Sequence, residues 1–363
     1  MLLSEAYGGW GGIQQFNRDM LRALCSHPSV SEVVAVPRLR RPGTEELPTK
    51  LTYSKDGLNS KLKYIETIWR VIRKGHAFEL VVIAHLNLLP FVQLLKSDQE
   101  TATLLVLFGL EAWSPRSWFY RRCFNRVSAS ASISEFTRDR FCAWSGFQAE
   151  RVFLLPVAVD LHRFTPGPKN AELLKRYGLS DRTVLMIFGR LEASERAKGF
   201  DQVMEVLPDL IRGVPNLSFL ICGDGSDRRR LEQKARMLRV EKHVVFAGFV
   251  PESEKVDHYR LADAYVMPSR SEGFGIVFLE AMACGVPVMA SKIDGSREAV
   301  RDESWGVVVD PANPEEVKAG ILDALRRPTG VRPPGLEFYS QANFERRAHQ
   351  IVTTLLETRE HHG

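Results

Sequence analysis

The chain has 363 residues, 44% of them apolar and 26% charged, with a formal net charge of +5. Such a length is more than one core comfortably holds and predicts two domains, while the apolar content excludes a disordered chain. No apolar run approaches the roughly 20 residues needed to cross a bilayer, and the five cysteines are scattered without a Cys-x2-Cys pair, which argues against a zinc site or a disulfide framework and for a reducing compartment.

In chain order, Leu2-Leu3-Ser4 reads as a truncated first strand, and Gly8-Gly9-Trp10-Gly11-Gly12-Ile13 follows as a loop that opens a helix. Val33 to Val36, Leu80 to Ala84, Thr103 to Phe108 and Ala129 to Ile133 are further strand candidates. The stretch from Val152 to Val157 leads into Asp160 to Pro166, where Pro and Gly punctuate the chain and an interdomain linker is expected. Beyond it the rhythm is clearer. Thr183–Phe188, Leu217–Cys222, Val244–Phe246, Ala264–Met267 and Val286–Ala290 read as strands, with helical spacing from Gly199 to Ile211 and from about Asp227 to Leu238. Strands alternating with helices imply right-handed crossovers and parallel sheets, so the fold class is α/β. Ligands of such sheets sit at the carboxyl ends of the strands, where Gly189, Gly223, Gly248 and Ser269 fall. A last helical run covers about Tyr339 to Glu357, and neither a repeat nor a low-complexity tract is present.

The most informative stretch runs from Ser271 to Val288. Glu272 precedes a Gly-Phe-Gly turn, and Glu280 lies eight residues later inside an apolar helical run that closes at Gly285. Backbone amides meeting a helix N-terminus make an anion site, and a carboxylate at each end can accept hydrogen bonds from sugar or ribose hydroxyls. A helix with one capping and one solvated Glu would show the same spacing. Upstream, Gly189-Arg190-Leu191 and Lys198-Gly199-Phe200-Asp201 place two cations between a strand and a helix; Arg can fork two diphosphate oxygens and Lys adds a point charge. Two solvated surface cations are the plainer alternative. Gly223-Asp224-Gly225 lacks the third glycine of a dinucleotide fingerprint, since Arg228 stands there, and no Gly-x4-Gly-Lys-Ser/Thr loop exists, so neither a nicotinamide cofactor nor a P-loop is expected.

The segment with Glu272 and Glu280 resembles the Glu-x7-Glu signature of retaining glycosyltransferases with the GT-B fold, family 4 (glycosyl transferases group 1). The resemblance covers nearly the whole chain, strongest from Gly189 to Val300 and weakest across 37–80. It implies two facing Rossmann-like domains with a cleft between them: 1–163 binding the acceptor, 164–338 binding the nucleotide sugar, and 339–363 as a C-terminal helix returning to the first. By the same resemblance Glu272 approaches the donor sugar and Glu280 the ribose, while amides around Phe274, Gly275 and Ile276 face the sugar or its phosphate. Arg190 and Lys198 stabilise the departing diphosphate beside Gly189 and Gly223. Main-chain groups at Phe249 and Val250 meet the base, and the Gly8, Gly9, Gly11 and Gly12 loop faces the diphosphate across the cleft.

Two departures stand out. In Leu105-Val106-Leu107-Phe108-Gly109-Leu110-Glu111, Phe108 occupies the place where the family usually carries a donor-contacting His, and Phe can neither donate nor accept that hydrogen bond. Val157-Ala158-Val159-Asp160 replaces the usual Asn-Gly-Val-Asp. His85, near another strand end, is the nearest substitute imidazole, and His85, Phe108 and Glu111 are the acceptor-side candidates.

The basic excess is local: residues 1–165 carry 21 Lys+Arg against 15 Asp+Glu, the remainder 28 against 29. Lys61 to Lys74 sets Leu62, Ile65, Ile68/Trp69 and Ile72 at helical spacing among five cations, and Trp113 to Arg126 interleaves aromatics with Arg. An anionic membrane surface is one partner such segments suit; the core face of a surface helix is the other explanation. Nucleic acid is not expected, because no recognition motif accompanies the charge. The expectation is therefore a cytoplasmic, possible peripheral-membrane hexosyltransferase, retaining and metal-independent, with no cofactor. Its donor is a nucleotide diphosphate sugar and its acceptor a glycan or polyprenyl-linked lipid. A nucleotide-sugar epimerase or hydrolase of the same fold, and a non-catalytic sugar-binding partner of a glycan assembly complex, are the rivals.

Overall fold

The computed structural model describes residues 1–8, 11–39, 46–54, 56–58, 60–73, 78–95, 101–301 and 304–360. The chain divides into two compact units, Met1–Ala158 together with Gln341–Gly363, and Val159–Ser340.

The first unit is built on β1 (Leu2–Leu3), β2 (Val33–Pro37), β3 (Leu51–Tyr53), β4 (Leu80–Ile83), β5 (Ala102–Leu107), β6 (Ala129–Ser132) and β7 (Val152–Leu154), paired in parallel in the order β3-β2-β1-β4-β5-β6-β7. β5 is buried along its whole length, as expected of a parallel strand covered on both faces. β3 and β7 are edge strands of three residues each. Neither was marked by the sequence pattern, because so short a run carries almost no periodicity. Helices α1 (Gly12–Ser26), α2 (Lys61–Arg73), α3 (Trp118–Phe124) and α4 (Glu135–Ser145) cross over between strands. Chain order then passes through the second unit before α12 (Gln341–Glu360) returns and packs along α1. Phe16 meets Phe344 edge to face with centroids 5.3 Å apart. The apolar stripe read across α2 is split: Ile68 is buried, with Tyr64 off the stripe beside it, whereas Leu62 (79% exposed), Ile65 and Trp69 face outward.

The second unit carries β8 (Thr183–Phe188), β9 (Leu217–Cys222), β10 (Val244–Gly248), β11 (Ala264–Val266), β12 (Val288–Ser291) and β13 (Val307–Val309), all parallel, in the order β10-β9-β8-β11-β12-β13. Its helices are α5 (Ala171–Tyr177), α6 (Phe200–Gly213), α7 (Arg228–Met237), α8 (Lys255–Leu261), α9 (Ile276–Ala283), α10 (Ser296–Ala299) and α11 (Pro314–Arg326). Local chemistry sets their limits. Asn170 caps α5 by accepting the amides of Glu172 and Leu173, and Asn313 caps α11 ahead of Pro314. Strand order reverses between β8 and β11, and at such a switch point the loops after the two strands part and leave a crevice at the sheet's carboxyl edge.

Candidate active site

At that carboxyl edge of the second unit the loops are stitched to one another through the backbone. The Gly189 amide donates to Cys222 O (3.0 Å), the Leu191 amide to Asp224 O (3.0 Å), the Gly223 amide to Gly248 O (2.8 Å) and the Arg270 amide to Ala197 O (2.7 Å). Gly223 has φ +144°, and a Cβ there would run into the Gly189 carbonyl, so only glycine lets the ends of β8 and β9 meet.

From β8 the chain delivers Arg190, whose side chain is 74% exposed and pairs with Glu195. A short turn, Ala193–Lys198, then presents Lys198. The stem of Lys198 lies close over Gly189, its ammonium 3.6 Å from Glu195 Oε2 and 3.9 Å from Glu272 Oε2. Among the described residues that ammonium has no acceptor within hydrogen-bond distance.

The Ser271-to-Gly275 loop follows β11. Gly275 takes φ +92° as the residue before α9, and a Cβ there would sit 2.5 Å from the Phe278 ring. α9 has no side-chain cap and no acid in its first turn, which leaves the amides at Ile276 and Val277 open at the positive end of the helix. Phe274 itself is buried against Tyr339, ring centroids 5.5 Å apart, so this residue contributes backbone rather than a ring to the site. The helix closes as the spacing predicts: the Gly285 amide donates to Met282 O and the Val286 amide to Ala281 O, a Schellman ending.

The two carboxylates sit in different surroundings. Burial raises the Glu272 carboxyl; Lys198 pulls it back down, and Asp294 and Glu195 push it up. Asp294, wholly buried, fixes this loop by accepting the Glu272 amide (2.9 Å) and the Ser269 hydroxyl (2.5 Å) on Oδ2, and the Ser296 hydroxyl (2.6 Å) and amide (3.0 Å) on Oδ1. Glu280, 5% exposed, accepts from Lys255 Nζ on Oε1 and from the Tyr259 hydroxyl on Oε2, each at 2.7 Å. Each oxygen retains a further lone pair for a hydroxyl donor. Glu195, Asp294, Lys255 and Tyr259 escaped the reading of the sequence. Lys255 and Tyr259 stand four apart on α8, a helix-face pairing that is visible only once α8 is known to face α9.

Phe249, 66% exposed, follows the end of β10, with the half-buried Val250 beside it.

In the first unit, Gly8 (φ +79°) and Gly11 (φ +134°) shape the loop before α1, whose first residue is Gly12; Gly9 lies outside the described residues. Phe108 follows β5 and is buried against Phe16, centroids 5.0 Å apart and edge to face. Its amide donates to Glu111 Oε1 (2.6 Å), so Glu111 pins the loop that follows. The His85 ring lies 6.2 Å from that of Phe108, and its Nδ1 accepts the Asn87 amide (3.1 Å), which assigns the proton to Nε2. Burial lowers the His85 imidazole below its ordinary value, with Glu111 opposing. The structure thus brings His85, Phe108 and Glu111 together at one sheet edge. Among the described residues no three His, Cys, Asp or Glu side chains converge as metal ligands, and no described helix is long and apolar enough to cross a membrane.

The family model for glycosyl transferases group 1 matches residues 171–340. A GDP-mannose-dependent alpha-(1-6)-phosphatidylinositol monomannoside mannosyltransferase of Mycolicibacterium smegmatis is 38% identical over 60% of this chain and 58% of its own length. A D-inositol 3-phosphate glycosyltransferase of Geodermatophilus obscurus is 35% identical over 50% of this chain and 42% of its own. The chain therefore spans about half the length of the curated relatives it matches. Among solved structures, a lipopolysaccharide outer core galactosyltransferase aligns over 97% of this chain and 98% of its own, with a TM-score of 0.73 at 17% identity. The Anabaena protein HepE in complex with UDP-glucose covers 97% of this chain and 99% of its own, with a TM-score of 0.73 at 18% identity. The likeness to the solved structures shows the fold: two parallel-sheet α/β units as in GT-B glycosyltransferases. It is residues 171–340 that match the glycosyl transferases group 1 family.

Proposed function

We propose that the protein is a retaining hexosyltransferase that moves a sugar from a nucleoside diphosphate donor to a hydroxyl of a glycan or polyprenyl-linked lipid acceptor. GDP-mannose is the donor to test first, because the mannosyltransferase relative is named for it. The observation that carries the reading is the convergence of Arg190, Lys198 and Glu272 at the switch point of the second sheet, beside the uncapped N-terminus of α9.

Arg190 and Lys198 then bind the diphosphate, and their charge offsets the charge that grows on the leaving oxygen as the bond to the anomeric carbon breaks. No metal is invoked for that step. Open amides at Ile276 and Val277 supply further donors. Glu272 orients the sugar hydroxyls, Glu280 holds the ribose, and main-chain groups at Phe249 and Val250 receive the base. As the acceptor oxygen bonds to the anomeric carbon on the face the diphosphate leaves, its proton passes to the departing phosphate oxygen. The first unit takes the acceptor role, with His85 standing as the imidazole beside Phe108. The outward stripe of Leu62, Ile65 and Trp69, flanked by Lys61, Lys63, Arg70 and Arg73, suits a peripheral seat on an anionic membrane from the cytoplasmic side.

Incubation of the full chain with GDP-mannose, UDP-glucose and other nucleotide sugars, with and without a lipid extract, tests the reading by nucleotide release. Acceptor-dependent release, lost in Lys198→Ala, together with an α-linked product from an α-linked donor and insensitivity to chelator, is the expected result. Nucleotide release without acceptor identifies a hydrolase, conversion of the donor to an isomeric nucleotide sugar identifies an epimerase, and binding with neither release nor isomerisation across the acceptor panel identifies a non-catalytic partner. Flotation with anionic but not neutral vesicles, weakened in Leu62→Asp, tests the membrane seat.

A further inference from the structure

We propose that Glu195 is the internal counter-ion of the diphosphate subsite, competing with the ligand's phosphates for Arg190 and Lys198 and so setting how tightly a nucleoside diphosphate is held. The proposal rests on the donor-site reading above and adds to it a residue that acts against binding.

The geometry is specific. Glu195 pairs through Oε1 with Arg190, while its Oε2 lies 3.6 Å from the Lys198 ammonium. One carboxylate thus spans the two cations assigned to one diphosphate. Oε2 is shielded from solvent yet has no hydrogen-bond partner, so the oxygen facing Lys198 is not held by anything stronger than charge. Glu195 also interrupts the helical conformation of its turn, with φ −118° and ψ 28°, while the residues around it are tied down. Its own amide donates to Glu192 O (2.8 Å), and Arg270 donates to Ala197 O (2.7 Å). The turn is therefore anchored on both sides of a single irregular residue whose side chain reaches back over the cations.

Charge explains the consequence. With Glu195 and Glu272 both beside Lys198, the subsite itself sets two cations against two carboxylates. A diphosphate entering this space brings its negative oxygens within a few ångströms of Glu195, an arrangement that like charge opposes. Binding then requires the Glu195 carboxylate to leave both cations, and departure of the product lets it return. A subsite with free cations would hold substrate and product alike more tightly; one with a carboxylate in waiting trades affinity for release.

Calorimetric titration of the full chain with GDP and with UDP tests this in the wild type, Glu195→Gln, Glu195→Ala and Lys198→Met. Removal of the charge in Glu195→Gln is expected to tighten the nucleotide the wild type binds by roughly three- to tenfold, the scale of one or two ion pairs at a partly exposed site. Glu195→Ala should move in the same direction, and the gain should shrink at high salt. Unchanged or weaker binding in both Glu195 variants, with wild-type binding intact and lost in Lys198→Met, overturns the counter-ion role and leaves the donor site standing. Failure of the wild type to bind either nucleotide overturns both.

Discussion

Replacing Lys255 with Met leaves the Glu280 carboxylate buried with the Tyr259 hydroxyl as its remaining partner among the described residues. The salt bridge is 2.7 Å long, and the two side chains are only 16% and 6% exposed, so little of the stranded charge can be resolvated. Removing one partner of a buried pair costs about 3–5 kcal/mol, and the modest exposure of Lys255 favours about 3. For a unit of this size each kcal/mol moves the transition by about 2–4 °C, so unfolding of the second unit should fall by roughly 6–12 °C. Scanning calorimetry on the full chain reads it, with Glu280→Gln as the matched background. In that background the carboxylate charge is gone, and adding Lys255→Met should cost about 1 kcal/mol or less. A Lys255→Met shift below about 2 °C, or an equal shift in both backgrounds, would falsify the view that this ion pair holds α8 and α9 together. The same Glu280→Gln protein, titrated with nucleotide, separates a role in ribose binding from a role in holding the fold.

Gly223→Ala should destabilise the second unit by about 3 kcal/mol or more, since φ +144° is strained for alanine and its Cβ meets the Gly189 carbonyl; chemical denaturation checks it, and a loss under about 1 kcal/mol refutes the close approach. Arg230 holds Asp201 and Asp227 below the usual carboxylate range. Their depressed values mean that this stability is present above the unfolded pKa near 4 and lost as pH falls through the folded values. Arg230→Met should therefore lower the melting temperature at pH 7 far more than at pH 2. Lys198 lowers the otherwise raised Glu272 carboxyl, so Lys198→Met should move the protonation of Glu272 to still higher pH. Side-chain carboxyl NMR of Glu272 as a function of pH reads the shift without turnover; an unmoved titration removes Lys198 as the group that holds it down.

Runs such as Leu217–Cys222 were legible as strands because six consecutive apolar or small residues between punctuating loops suit a strand buried on both faces. The α/β alternation and both parallel sheets followed from that rhythm. The loop from Ser271 to Gly275 and the helix after it were legible for another reason: their chemistry is local, with a glycine at each end of one short helix. What escaped is non-local. Glu195 is three residues from Lys198, yet its reach to Arg190 depends on how the turn kinks. Lys255 and Tyr259 find Glu280 only because β11 and its crossovers bring α8 beside α9. Asp294 follows β12, and nothing in Ile293-Asp294-Gly295 indicates that its carboxylate turns back to hold the amide of Glu272. In the first unit, spacing marks Leu62, Ile65, Ile68/Trp69 and Ile72 as one stripe on α2 without saying which way it faces; Ile68 is buried, whereas Leu62, Ile65 and Trp69 are exposed.

The return of α12 to the first unit has a consequence for synthesis. The second unit is a contiguous block, complete once Ser340 has emerged, and its ends are already fastened by the Val159 amide on Tyr339 O at 2.8 Å. The first unit, although it begins the chain, is unfinished until the last helix arrives to cover Phe16 and the α1 face around it. Vectorial synthesis usually lets the earlier domain fold first. Here the order is inverted: a chain truncated after Ser340 should carry a protease-resistant second unit attached to a first unit still open to cleavage, and chaperone demand should concentrate on the half made earliest.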